Sequence, residues 1–152
     1  MENKSLQLRQ LGRKMLALGH SGAGSIPGVG WIKALRLALG MSARQLGNKL
    51  SITRQGVQEM ESREQDGSIT IKSLRTAAKA FDMQLVYGFV PNDGSLDALI
   101  DRKAKELAIQ IVLRTSQSMR LEDQENTKQR IEQAIEERAE ILRRELPKAL
   151  WD

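Results

Sequence analysis

The chain of 152 residues lacks cysteine altogether and contains a single histidine, His20. These absences exclude disulfides, thiol chemistry, zinc sites of the Cys/His type and histidine-based catalytic triads. Because the remaining carboxylates have neither histidine partners nor metal-ligand spacing, we expect no enzyme, no metal and no cofactor. There is also no apolar run near the roughly 20 residues that a membrane helix needs, and no apolar signal core at the N-terminus. We therefore expect a cytoplasmic protein with no membrane partner.

Basic residues are concentrated in the first part of the chain. Residues 1–94 contain 13 Lys and Arg against 7 Asp and Glu, a net charge of +6, whereas residues 95–152 contain 11 against 12, a net charge of −1. Lysines and arginines alone do not prove binding, since any solvated surface carries many of them. Their distribution nevertheless favours a polyanionic partner for the first part of the chain.

Two short helical patterns meet at a turn between residues 42 and 61. The first begins at an N-capping residue, Ser42, and the second at another, Thr53. Each pattern repeats apolar residues at helical spacing on one face. The inward positions are Leu46, Leu50, Val57 and Met60. The spacing therefore predicts two consecutive amphipathic helices separated by a very short connection.

Glycines occupy one position on each side of this turn, Gly47 and Gly56. A glycine inside a helix costs about 1 kcal/mol relative to alanine, but it lets two backbones approach closely. Two short helices that cross steeply need such an approach. The pattern predicts a helix-turn-helix, in which the second helix lies in the major groove of duplex DNA.

The start of the second helix carries side chains suited to reading bases. Arginine can donate two hydrogen bonds to guanine, glutamine can pair with adenine, and glutamate can accept from cytosine. A capping hydroxyl and the free N–H groups of the helix are suited to a phosphate. We expect base contacts from Arg54, Gln55, Gln58 and Glu59, and contacts nearer the DNA backbone from Thr53, Arg44, Lys49 and Arg63.

The segment from Trp31 to about Asp82 resembles the XRE family, the DNA-binding domains of the phage repressor and Cro type. The residues that carry the resemblance are Ser42, Leu46, Ser51-Ile52-Thr53, Val57, Met60 and Glu61. It implies a five-helix domain in which Trp31–Leu39 is the first helix and Ile71–Phe81 the fourth or fifth. Two departures are Gly47, where the family usually has alanine, and Leu50, where it usually has glycine.

A narrower resemblance is to the bacterial family named mobile mystery protein A. It rests on Gly30-Trp31-Ile32, Ala38-Leu39-Gly40-Met41-Ser42, Gln45-Leu46, Leu85-Val86-Tyr87 and Val90-Pro91. Members are typically encoded beside a Fic-domain protein. The resemblance implies a transcriptional regulator with a possible Fic-domain partner, which it could neutralise as an antitoxin. Antitoxins that silence a Fic enzyme commonly present a short inhibitory helix with the pattern Ser/Thr-x-x-x-Glu-Gly/Asn. Residues 118–123 and 121–126 come near this pattern, but each stretch misses one position.

Residues 83–90 are rich in β-branched and aromatic side chains and are followed by Pro91, which predicts one β-strand. A lone strand leaves its N–H and C=O groups unpaired, so we expect antiparallel pairing with the same strand of a second subunit. The dimerisation residues would be Met83, Leu85, Val86, Tyr87, Phe89 and Val90. The alternatives are an extension of the preceding helix or pairing with an N-terminal segment.

The flanking parts of the chain are predicted to be helical. Residues 5–18 form a basic amphipathic pattern, and the glycine-rich stretch 20–30 reads as a linker, since its spacing fits neither a P-loop nor a dinucleotide-binding turn. Two apolar stripes follow Ser95 and end at Pro147, which predicts a helical hairpin. The expected domains are residues 1–30, 31–82, 83–91 and 92–152.

The sequence thus predicts a mainly α protein, with a lambda-repressor-like five-helix domain, one dimerising β-strand and a C-terminal helical extension. The expected function is that of a homodimeric transcriptional regulator, an autorepressor that binds a palindromic operator in double-stranded DNA. Two alternatives stay open at this point: an antitoxin that neutralises a Fic-domain toxin, and a helical interaction scaffold without DNA binding.

Overall fold

The computed structural model describes residues 2–20, 26–116 and 124–152, and in these ranges it contains seven α-helices and no β-strand. The helices are α1 Glu2–His20, α2 Trp31–Ala38, α3 Ala43–Leu50, α4 Arg54–Asp66, α5 Ile71–Ala80, α6 Leu96–Ser116 and α7 Gln124–Glu145. The chain forms two compact units. We call residues 19–88 the central unit, and residues 1–18 together with 89–152 the terminal unit. None of the described helices is long and apolar enough to cross a membrane.

Side-chain caps define where the helices of the central unit begin. The Ser42 hydroxyl accepts from the Gln45 amide at 3.1 Å, and the Gln45 side chain accepts from the Ser42 amide at 2.8 Å, which is a complete capping box for α3. Thr53 accepts from the amide of Gly56 at 3.0 Å and so begins α4. The two helices predicted around residues 42–61 are therefore confirmed, with their predicted N-caps.

The core of the central unit is formed by apolar residues from all four of its helices. Leu46 of α3 and Val57 of α4 are completely buried, as predicted. Burying one such side chain contributes about 1.5 to 3 kcal/mol. The other buried members of the core are Ile32, Ala77 and Phe81. Since α3 and α4 contribute its two fully buried large side chains, the core fixes the helix-turn-helix itself.

The turn between α3 and α4 requires a glycine at one side. A Cβ atom at Gly47 would lie 2.7 Å from the carbonyl oxygen of Ile52, whereas one at Gly56 would come no closer than 3.4 Å to Ile52 and Thr53. Of the two glycines predicted to allow a close approach, Gly47 is the one that does so, and the backbone of the turn is what lies against it. Ser51 ends α3 in the left-handed region, with φ of 56°, so the turn forms without a glycine at Leu50.

The described residues depart from two sequence-based expectations for the central unit. Between residues 26 and 88 the structure has four helices, where the family resemblance implied five. Residues 83–90, predicted as a dimerising β-strand through Met83, Leu85, Val86, Tyr87, Phe89 and Val90, form no strand in the single chain. The reason is physical: a strand is defined by its pairing, and these residues pair with no other described segment.

The non-helical segment 83–90 is tied down near its start and exposed over most of its length. The amide of Met83 donates to the carbonyl of Ala78 at 2.8 Å, but the amides of residues 84–90 make no hydrogen bond to another described residue. Several side chains are exposed, including Val86 at 69% and Phe89 at 84%. The segment therefore presents apolar side chains and free backbone donors together.

The terminal unit is built on α6 and α7, which pack through small residues. Ala104 and Ala108 of α6 and Ala139 of α7 are completely buried, and Leu142 and Leu150 complete the core. Helix α6 is capped by Ser95, whose hydroxyl accepts from the amide of Ala98 at 3.1 Å.

Helix α1, which spans the predicted basic helix at residues 5–18, also belongs to the terminal unit. Within this unit, Lys4 donates from Nζ to the carbonyl of Leu146 at 3.3 Å. The stretch between the two C-terminal patterns, which could be a turn or a continuous helix, lies largely outside the described residues. The same holds for the Fic-inhibitory near-matches at 118–126, and residues 21–25 of the predicted linker also lie outside the described residues.

Candidate nucleic-acid interface

Helix α4 exposes every residue that the sequence predicted to read bases. Arg54 and Gln55 lie in its first turn, and Gln58 and Glu59 lie one turn further on, all solvent-exposed. Residues four positions apart in a helix lie about 40° apart around its axis. Arg54 and Gln58 therefore share one side of the helix, and Gln55 and Glu59 share the adjacent side.

The residues predicted to lie nearer the DNA backbone are brought together less completely. Thr53 lies at the N-terminus of α4, and Arg44 and Lys49 are exposed on α3. Lys49 comes five positions after Arg44 in the helix, which places the two side chains about 140° apart around its axis. Arg63 is exposed on α4 but lies nine residues from Arg54, about 180° around the helix. Arg54 and Arg63 thus occupy opposite sides of α4.

A buried ion pair holds α4 against α2. Arg36 donates from Nε to Oε1 of Glu61 at 2.5 Å and from Nη2 to Oε2 at 3.2 Å, and its Nη1 donates to the carbonyl of Met41 at 3.2 Å. The two side chains are only 12% and 7% exposed. The hydrogen bond to Glu61 raises the pKa of Arg36 above its ordinary value, so the guanidinium stays charged. This bidentate geometry fixes the rotation of α4 relative to α2.

A second carboxylate of α4 caps the N-terminus of α2. Glu64 accepts from the amide of Trp31 at 2.7 Å and from the amide of Ile32 at 2.8 Å. The residue at the N-cap position, Gly30, has φ of 84°, and a Cβ atom there would lie 2.8 Å from the Glu64 carboxylate. Gly30 is therefore required both for its backbone conformation and for the space that the carboxylate fills.

Sequence reasoning missed the roles of Arg36, Glu61 and Glu64, although part of the signal was present. Glu61 follows Val57 by four residues and so lies on the buried face of α4, where a carboxylate needs a partner. No local pattern names that partner, because Arg36 lies 25 residues away. The cap on α2 is equally remote, since 33 residues separate Trp31 from Glu64.

A polar cleft of about 300 Å³ lies between α2 and α4. It is lined by Lys33, Arg36, Gln58, Glu61, Ser62 and Gln65. Gln58 therefore borders this cleft as well as the exposed side of α4. Among the described residues, no group of histidine and carboxylate side chains is arranged to hold a metal ion.

Most of the central unit is similar to a known domain family. Residues 32–87 match the helix-turn-helix family model, which is the DNA-binding domain type of the XRE regulators. The match covers α2 to α5 and most of the segment that follows them. No curated protein and no solved structure matches the chain significantly. The narrower resemblance to mobile mystery protein A, and with it a Fic-domain partner, stays a prediction.

Proposed function

We propose that this protein is a sequence-specific DNA-binding transcriptional regulator that represses its own gene. The observation that carries the proposal is the combination of a matched helix-turn-helix domain with an α4 whose first two turns expose Arg54, Gln55, Gln58 and Glu59. These four side chains include donors for guanine and for adenine and an acceptor for cytosine. A surface with all three capacities suits base recognition better than a surface that binds phosphate alone.

In the proposed complex, the N-terminal half of α4 enters the major groove. Two carboxylates of α4, Glu61 and Glu64, hold the helix on α2 and so set the angle at which it is presented. Thr53 uses its hydroxyl to cap α4 through the amide of Gly56. The remaining free amides of that first turn and the positive end of the helix dipole favour a phosphate at this point.

The direct test is footprinting of the purified protein on the DNA upstream of its own gene, with Arg54→Ala as the first variant. If Arg54 contacts a guanine, the variant binds the protected site about 1 to 3 kcal/mol more weakly and loses its preference at one base position. The matched control is Arg130→Ala, which removes an exposed arginine from α7. Failure of the wild-type protein to prefer any upstream site over random duplex would overturn the proposal.

The proposed regulator acts as a homodimer joined through residues 83–90. The support for this is that the segment has free backbone donors and exposed apolar side chains together. Antiparallel association of two copies would satisfy the donors, cover the apolar surface and create a two-fold axis. A two-fold protein requires a palindromic operator, with half-sites about one helical turn apart.

Val86→Pro tests the dimer, because proline removes one backbone donor at the middle of the segment. Sedimentation should show a monomer, and operator affinity should fall steeply because the second half-site no longer binds intramolecularly. Val86→Thr, which keeps the donor and the β-branched shape, serves as the control. A Val86→Pro protein that remains dimeric and binds the full operator normally would place the dimer interface elsewhere.

A further inference from the structure

Helix α5 carries a dense basic stripe that lies outside the proposed base-reading site. It contains three cations, Lys72, Arg75 and Lys79, and no acidic residue. Spacings of three and seven residues place the three side chains within about 60° of one another around the helix axis. All three are exposed, and none forms an ion pair with another described residue. The stripe is thus a concentrated positive surface whose charge nothing described neutralises.

The charge of α4 leaves the attraction for DNA to other residues of the central unit. Helix α4 contains two basic residues, Arg54 and Arg63, against four acidic ones, a net charge of −2. A helix of that charge can read bases, but it is repelled by the phosphates on both sides of the groove. The central unit as a whole has nine basic and five acidic residues. The attraction for DNA must therefore come from cations outside α4.

The position of α5 in the chain fits that role. Its N-cap, Thr70, comes four residues after the end of α4 at Asp66, and its first turn has no acidic residue. The positive end of the helix dipole therefore adds to the charge of Lys72. From Lys72 to Lys79 the stripe extends about 10 Å along the helix, which is long enough to meet two or three phosphates of one DNA strand.

One member of the stripe is held in place by an aromatic side chain. The guanidinium of Arg75 lies 5.8 Å from the centre of the Tyr87 ring, and its Nη2 donates to the Tyr87 hydroxyl at 3.4 Å. Stacking on an aromatic ring reduces the entropy that an exposed arginine loses when it binds an anion. The Tyr87 ring is itself more than half exposed. Arg75 is accordingly the best organised cation of the three.

We infer that Lys72, Arg75 and Lys79 form a second DNA-binding surface, which contacts the phosphate backbone beside the groove that α4 occupies. This inference rests on the proposed function. The stripe supplies affinity that is independent of base sequence, and α4 supplies the specificity. The chemistry of the stripe, three cations with one exposed aromatic ring and no carboxylate, is complementary to a polyanion along its whole length.

The experiment compares the triple variant Lys72→Gln/Arg75→Gln/Lys79→Gln with a control of equal charge change in α7, Lys128→Gln/Arg130→Gln/Arg138→Gln. Binding to the upstream fragment and to a random duplex of the same length is measured over a series of salt concentrations. Each lost phosphate contact reduces the slope of log K against log salt by about 0.9, so the α5 variant should lose between about 2 and 3. Its preference for the upstream fragment over random duplex should remain.

A second variant, Lys72→Gln/Lys79→Gln, leaves the contact between Arg75 and Tyr87 intact and should lose about 1.8 of slope. It protects the test against a folding defect, which is checked by thermal unfolding of every variant. If the α5 variants have the same slope as the α7 control, the inference is overturned and the proposed function stands. If the wild-type protein itself has no preference for the upstream fragment, the proposed function fails, whatever the slopes show.

Discussion

The two units of this protein differ in the contacts that hold their helices together. The helices of the central unit are 8 to 13 residues long, and each of them begins at a residue capped by a specific hydrogen bond. The three helices of the terminal unit are 19 to 22 residues long, and α6 and α7 meet through completely buried alanines. Helices shorter than about 12 residues are marginal by themselves, so the central unit depends on contacts between distant residues.

The difference extends to charge. Glu61 is the one buried charged residue found in the described part of the chain, and it lies in the central unit with its partner Arg36. The ion pairs of the terminal unit involve exposed side chains, as in Arg102 with Glu106. Buried pairs define geometry, whereas exposed pairs contribute little to stability. The unit whose α4 is proposed to read DNA is the one that contains the buried pair.

Each unit also contains its own fluorescent reporter. Trp31 begins α2 in the central unit, and Trp151 follows the buried Leu150 in the terminal unit. Both rings are about half exposed. Single-tryptophan proteins made with Trp151→Phe or Trp31→Phe therefore report the unfolding of the two units separately, and they provide the background for the tests that follow.

Glu61→Ala should have the largest effect on the comparison. It leaves the guanidinium of Arg36 buried with only the Met41 carbonyl as a partner, and we expect the central unit to lose about 3 kcal/mol of unfolding free energy. Urea unfolding followed by Trp31 measures this loss. Trp151 should report no change.

The control for Glu61→Ala is Glu106→Ala, which removes one of the two carboxylate partners of the exposed Arg102 in the terminal unit. Because water can solvate Arg102 there and Asp93 still accepts from it, the change seen by Trp151 should be much smaller than that seen by Trp31 in the first variant. The double variant Arg36→Met/Glu61→Leu should recover most of the lost stability, since no buried charge is left unpaired. Equal losses from both single variants would remove the distinction between the units.

The two glycines beside the turn should respond in opposite directions to alanine. Gly47→Ala places a methyl group 2.7 Å from a backbone oxygen that cannot move without distorting the turn, and should cost about 1 to 3 kcal/mol. Gly56→Ala makes only an ordinary contact, and should raise stability by about 0.5 to 1 kcal/mol through the helix preference of alanine. Denaturant midpoints from Trp31 distinguish the two. A stabilising Gly47→Ala would show that the turn relaxes freely.

What the sequence could predict in this protein is what neighbouring residues determine. Ser42, Thr53 and the apolar spacing locate α3 and α4 correctly, because caps and amphipathic faces act within a few residues. The exposed positions of Arg54 to Glu59 follow from the same periodicity. Their DNA contacts remain predictions, as does the role of the α5 stripe.

What the sequence could not predict depends on distant residues. The β-strand at 83–90 was predicted from composition, yet a strand forms only where a second segment supplies the hydrogen bonds. Arg36 lies 25 residues from its partner Glu61. The cap on α2 comes from Glu64, about 33 residues after the amides that it accepts from. The helix count failed for a related reason: Met83 bonds back to Ala78 at the end of α5, and no further helix begins before residue 88.

Glu64→Ala should weaken the central unit less than Glu61→Ala does. It removes the acceptor from the amides of Trp31 and Ile32, and the loss of such a cap costs about 0.5 to 2 kcal/mol. Glu64→Gln, which keeps one side-chain oxygen as an acceptor, should lose less. Gln65→Ala, at the exposed neighbouring position, is the control. An unchanged Trp31 transition in Glu64→Ala would show that water replaces the carboxylate at no cost.

The smallest expected effect concerns the acid stability of the terminal unit. Arg102 donates to both carboxylate oxygens of Asp93, at 2.8 Å and 3.0 Å, and this hydrogen bonding lowers the pKa of Asp93. In the unfolded chain an aspartate carboxyl has a pKa near 3.9, so just below that pH Asp93 is protonated more fully in the unfolded chain than in the folded unit. The stabilisation is therefore complete above about pH 4 and is lost as the pH falls through the lowered pKa of Asp93.

Asp93→Asn should make the Trp151 transition less sensitive to pH between about 5 and 3. The Trp31 transition should keep its own acid dependence. The lowered pKa of Asp66, which accepts from the Ser68 hydroxyl, contributes to that dependence. An identical acid dependence of Trp151 in wild type and Asp93→Asn would show that the pair of Asp93 with Arg102 does not stabilise its unit at all, which would widen the contrast with the buried pair of the central unit.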